Sequence, residues 1–170
     1  MLQSLKRGIG GLTRFSGRDR RGLFWPYALV VVFGSFFGFG AVMSSLVWSL
    51  FEATASGSVS PIQGLAPFML MIGVVVIVII ALLAAAVTRR LHDTGRSGLW
   101  GLPPIILLAL ASVLFPFAMN AMWAGEHPDL RPFILAFANN LLYLAALALL
   151  IVFLVMPGKK EANRYGPPPA

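Results

Sequence analysis

RRLHDTGRSGLW, residues 89–100, sets five ionisable side chains, Arg89, Arg90, His92, Asp93 and Arg96, within eight positions, and long apolar runs flank it on both sides. The run before it, residues 67–87, and the run after it, residues 99–122, contain no charged residue. At about 1.5 Å of rise per residue, some 20 residues cross the ~30 Å hydrocarbon core of a bilayer. Each run is long enough to do so, which makes the quoted stretch a polar turn between two membrane helices. Within it, Arg89 and Asp93 stand four residues apart and share a helix face, with His92 beside them. Gly95 suits the position just past a helix end, where left-handed backbone costs little, and Ser97 suits the cap of a helix beginning near Leu99. The spacing predicts a helical hairpin with charged shoulders, in which Asp93 pairs with Arg89 or Arg96.

Working outward, residues 24–51 and 133–155 are two further apolar runs of spanning length. Trp25 and Tyr27 suit a membrane interface and Pro26 a first helical turn. Across 170 residues the chain is 58% hydrophobic and 11% charged, outside the range of ordinary soluble domains. The expected fold is therefore all-α: a polytopic membrane protein with four transmembrane helices in a small bundle, spans at about 24–51, 67–87, 99–122 and 133–155. Residues 1–23 form a basic arm, in which Gly8, Gly10, Gly11 and Gly17 are expected to interrupt any helix, and residues 156–170 a tail. Pro116 predicts a kink in the third span, because it removes a backbone donor and crowds the preceding turn.

Charge sets the orientation. Twelve of the thirteen basic residues fall in the arm, the 89–100 turn and the tail, and Arg131 alone lies in the other two loops. By the positive-inside rule both termini are cytoplasmic. A net charge of +7 would suggest nucleic acid in a soluble protein; beside membrane spans it suggests anionic headgroups instead, and no nucleic-acid partner is expected. The expected partners are membrane lipids, a second copy of the chain or a partner membrane protein. Arg20 and Arg21 before an apolar run, with Ala53-Thr54-Ala55 after it, imitate a secretory signal. The run is too long for a signal core of ~7–15 residues, and three more spans follow it.

The chain has no cysteine, which removes disulfides, thiolate metal sites and a cysteine nucleophile. His92 and His127 are expected on opposite membrane faces, and no histidine or carboxylate spacing suits a metal. Phosphate-cradling, nucleophile-elbow and zinc-hydrolase motifs are absent from the sequence. No catalytic residue, metal or cofactor is therefore assigned. The guanidinium forks of Arg89, Arg90 and Arg96 suit a phosphate, a lipid headgroup or an acidic partner; structural pairing with Asp93 and proton transfer by His92 are the competing readings. In the spans, Gly34 and Gly38 form G-x-x-x-G, a pattern for close helix packing. Asn139 and Asn140 need hydrogen-bond partners in hydrocarbon and point to interhelical bonds.

Three segments taken together, FSGRDRRGLFW at 15–25, RRLHDTGRSGLW at 89–100 and MPGKKEANRYGPPP at 156–169, resemble the bacterial inner-membrane family called domain of unknown function 805. The resemblance implies a small multi-span inner-membrane protein and no particular activity. The matching positions are Gly17, Arg18, Arg21, Phe24 and Trp25, then Arg89, Arg90, His92, Asp93, Gly95, Arg96 and Ser97, then Pro157, Gly158, Asn163, Tyr165 and Gly166. All three segments fall on the expected cytoplasmic side. They suggest one composite cap, with Arg18, Arg21, Arg89, Arg90, His92, Asp93, Arg96, Asn163 and Tyr165 as its candidate residues, binding anionic lipid or a partner protein. Two alternatives remain: a small oligomeric transporter or channel assembled through the glycine face, and a membrane enzyme using His92 on a phosphorylated lipid.

Overall fold

A computed structural model of the chain describes residues 1–57, 61–123 and 129–169, with the backbone alone for 61–69 and 123. Its regular structure is helical: α1 (Leu2–Gly10), α2 (Arg21–Ala55), α3 (Pro61–Asp93), a 3₁₀ turn (Gly98–Gly101), α4 (Leu102–Trp123) and α5 (Arg131–Val155). The last four α-helices are each long and apolar enough to cross a membrane, so the chain is an all-α, four-span protein. Between 6% and 17% of each apolar stretch is buried within the chain, and Phe36, Phe37, Ile77 and Val113 are all more than three-fifths exposed. In water so large an apolar surface would drive association; in lipid it is the solvated face. Glu126 and His127 of the expected outer loop lie outside the described residues.

Contacts divide the chain into two units, Met1–Phe15 with Gly22–Ala86, and Ser16–Arg21 with Val87–Ala170. The first unit corrects one expectation, because the arm is not free of helix. α1 forms despite Gly8 and Gly10. Gly8 is buried, and a Cβ there would overlap the Tyr27 ring at Cδ2. The glycine thus lets α1 approach α2, and that contact outweighs its helix-propensity penalty of roughly 0.5–1 kcal/mol. Tyr27 in turn donates its hydroxyl to the Leu82 carbonyl of α3 at 2.8 Å. α2 begins at Arg21, earlier than its apolar run, which moves Pro26 into the second turn, where it deprives the Gly22 carbonyl of a helical donor. The space above Gly34 and Gly38 is open, with no atom within 4 Å of a built Cβ among the described residues.

In the second unit α4 packs against α5, and α4 continues through Pro116. Asn139 is buried and donates from Nδ2 to the Leu107 carbonyl of α4 at 3.0 Å, the interhelical bond expected of it. Asn140, one position on, is exposed. The turn from α3 to α4 is tight. A Cβ on Gly98 would meet Thr88 Cγ2 at 2.5 Å, and the Trp100 ring meets Phe153 of α5 edge-on, centroids 5.3 Å apart.

Candidate functional site: a polar cap around Asp93

The site is built on the end of α3. Gly95 adopts φ +81°, and the chain reverses as the Arg96 amide donates to the Leu91 carbonyl at 2.9 Å and the Gly95 amide to the His92 carbonyl at 3.0 Å. This pair of bonds is the Schellman closure that a glycine past a helix end permits. Ser97 Oγ accepts the Leu99 amide at 3.3 Å and opens the 3₁₀ turn leading into α4.

Asp93, at the last position of α3, is buried between two buried arginines. Oδ1 accepts from Arg18 Nε at 3.1 Å and Nη2 at 2.9 Å, two charge-assisted bonds converging on one oxygen. Oδ2 accepts from Arg90 Nη1 at 2.5 Å. The pairing differs from the expected one: Asp93 meets Arg90, three residues back, rather than Arg89 or Arg96. Arg89 instead reaches Asp19, Nε to Oδ2 at 2.6 Å, and the Asp19 amide donates to the Arg89 carbonyl at 3.1 Å. Helix position does not decide this, since residues three and four back both lie on the aspartate's side; Arg89 is taken by Asp19, which leaves Arg90 and Arg18 to Asp93.

The arginines also gather backbone. Arg18 Nη1 donates to the carbonyls of Glu161 at 2.9 Å and Gly166 at 3.2 Å, while Nη2 donates to that of Lys159. Arg90 Nε donates to the Leu154 carbonyl at 2.9 Å and Nη2 to that of Met156. A cation is thereby placed at the carboxyl end of α5, where unsatisfied carbonyls and the helix dipole favour positive charge. The tail returns the contact, with the Lys159 amide donating to the Asp93 carbonyl at 2.9 Å and Asn163 Nδ2 to that of His92 at 3.0 Å. A Cβ on Gly158 would overlap the Asp93 carboxylate, so glycine there is what admits the tail.

His92 lies flat on Tyr165, ring centroids 3.6 Å apart and planes within 5°. Its Nδ1 is 3.2 Å from the Gly17 carbonyl. A carbonyl only accepts, so Nδ1 carries the hydrogen and Nε2 is the basic nitrogen of the neutral ring. The Arg164 guanidinium covers the Tyr165 ring at 4.7 Å from its centroid. Asn163 Oδ1 accepts the Tyr165 amide at 2.9 Å, holding the small loop that Asn163 and Gly166 close with two backbone bonds.

Seven of the nine candidate cap residues meet here: Arg18, Arg89, Arg90, His92, Asp93, Asn163 and Tyr165. Two make no side-chain hydrogen bond or ion pair in the charge network among the described residues, Arg21 acting on Arg90 only by like-charge repulsion. Arg21 stands exposed at the start of α2, and the Arg96 guanidinium stacks over the Phe153 ring at 4.1 Å. Asp19 and the backbone carbonyls of Lys159 and Glu161 are members that sequence reading missed. Asp19 had a signal, being the single acid among six basic residues of the arm; the carbonyls had none. No group of three or more histidine, aspartate or glutamate side chains suited to a metal occurs among the described residues.

The family described as "Protein of unknown function (DUF805)" matches residues 12–167, a range that takes in every segment of the cap. No curated protein and no solved structure matches the chain.

Proposed function

The chain belongs to the DUF805 family, and from that premise we propose that it is a non-enzymatic, multi-pass protein of the bacterial inner membrane, whose cap lies on the cytoplasmic side and presents a basic rim to anionic lipid headgroups. The observation that carries this reading is the division of labour among the arginines. Arg18, Arg89 and Arg90 are buried and engaged by Asp93, Asp19 and backbone carbonyls, so they build the cap rather than face a ligand. Arg20, Arg21, Lys159, Lys160 and Arg164 are exposed, at the start of α2 or just beyond the end of α5, the level at which headgroups meet a spanning helix. Basic residues near an anionic surface contribute about 1 kcal/mol each, enough together to retain headgroups without a closed pocket.

The test is native mass spectrometry of the protein extracted gently from its own membrane, comparing wild type with the Arg20→Ala, Lys160→Ala, Arg164→Ala combination. Retained phospholipid on the wild type, lost in the rim variant while the fold persists, is the expected result. Lipid retention unchanged by the variant, or a protein partner in place of lipid, would overturn the lipid reading.

A further inference from the structure

We propose that α1 is an interfacial helix that seats its Leu2, Leu5 and Ile9 flank at the boundary between headgroups and acyl chains of an anionic leaflet. The inference rests on α1 and on its contact with Tyr27, and does not depend on what the cap binds.

At 3.6 residues per turn the nine residues of α1 sort into three sectors. Ser4 and Gly8, four apart, are buried and form the inner sector, the one that rests against the Tyr27 ring at Gly8. To one side lie Leu2, Leu5 and Ile9, preceded by Met1; Met1 is 78%, Leu2 75% and Ile9 61% exposed. On the other side lie Gln3, Lys6, Arg7 and Gly10, all exposed. A helix exposing apolar side chains on one flank and cations on the other matches an anionic bilayer surface, which offers hydrocarbon below and phosphate above.

Depth supports the same occupant. Tyr27 is six residues past Arg21, the first residue of α2, or about 9 Å along the helix axis. Interfacial helices bury their apolar face ~5–10 Å into the headgroup and acyl boundary. The contact between Gly8 and Tyr27 therefore holds α1 at the level where its flank meets acyl chains, close to where the first span enters the membrane. Stability points the same way. Helices shorter than ~12–15 residues are marginal alone in water, and α1 has nine residues, two of them glycine, so it needs cover on more than its inner sector.

The test uses the full chain reconstituted into bilayers with and without phosphatidylglycerol. Its lack of cysteine allows one labelled site at a time: Leu2→Cys, Ile9→Cys and Lys6→Cys, all at exposed positions where the label does not disturb packing. An environment-sensitive fluorophore at positions 2 and 9 is expected to be quenched several-fold more by acyl-brominated lipid than one at position 6. The label at position 6 responds instead to aqueous iodide, and the contrast falls when phosphatidylglycerol is omitted. Equal iodide quenching at all three sites in the anionic bilayer would overturn the proposal, and a contrast indifferent to phosphatidylglycerol would overturn its anionic part. Failure of the basic rim to retain lipid would leave these depths as they are, so the two readings fail separately.

Discussion

The polar cap and the amino-terminal helix are both basic segments bordering an apolar span, yet they dispose of their cations in opposite ways. In the cap, Arg18 and Arg90 are buried to 3% and 0% exposure and converge on one carboxylate. In α1, Lys6 and Arg7 are exposed and a glycine makes the contact. What differs is what each packs against. The cap gathers the carbonyls at the ends of α3 and α5 together with Asp93 and Asp19, so every guanidinium nitrogen of the desolvated Arg18 and Arg90 finds an acceptor. The inner sector of α1 meets the Tyr27 ring through Gly8, an approach too close to seat any side chain there, so the cations of α1 lie on its outer flank. The cap thus uses its arginines as buried structure, whereas the cations of α1 stay on an exposed flank.

Removing the hub should have the largest effect. Asp93→Asn leaves Arg18 and Arg90 facing each other without a countercharge, and breaking a buried pair from one side costs about 3–5 kcal/mol. Unfolding of the purified protein in a denaturing-detergent titration should shift accordingly, and an unmoved midpoint would show that the cap does not depend on the carboxylate. Next is Gly158→Ala, whose new methyl overlaps that carboxylate. An overpacking penalty of about 1–3 kcal/mol is expected, read as faster tryptic cleavage at Lys159, Lys160 and Arg164.

On the α1 side the matched pair Gly8→Ala and Gly10→Ala sharpens the contrast. A Cβ at Gly8 collides with Tyr27, whereas nothing lies within 4 Å of one at Gly10. The first should speed amide hydrogen exchange across residues 2–10, and the second should slow it slightly, by a propensity gain of about 0.5–1 kcal/mol. A smaller effect belongs to Asn139→Leu. It removes the bond to Leu107, an interaction averaging about 0.6 kcal/mol in membrane interiors. It also removes Oδ1, which is buried without a hydrogen-bond partner among the described residues. Asn140→Leu, on the exposed face, should leave the midpoint unchanged or raise it.

The four spans were legible because a bilayer imposes a length and a composition on any helix that crosses it, and residues 24–51, 67–87, 99–122 and 133–155 meet both. The reversal at Gly95 and the cap at Ser97 were legible for a related reason: backbone conformation at a helix end restricts which residue stands there. The partners of Asp93 were not. Arg89 and Arg90 are equivalent to any local spacing rule, and Arg18 lies 75 residues away, so only the arrangement of the second unit could choose between them. α1 is not legible in the sequence, because its glycines signify flexibility when read along the chain, while in the fold Gly8 marks a close approach.

A common hub requires that Arg18 and Asp93 be energetically coupled across the 75 positions that separate them. A double-mutant cycle of Arg18→Met and Asp93→Leu, read from unfolding midpoints with both single variants and the double variant, measures that coupling directly. Residues sharing a buried charge network couple by about 0.5–3 kcal/mol, and the upper part of that range is expected, with the double variant less damaged than the two single losses added together. Strictly additive losses would contradict that coupling, leaving the cap as neighbouring segments with no common hub.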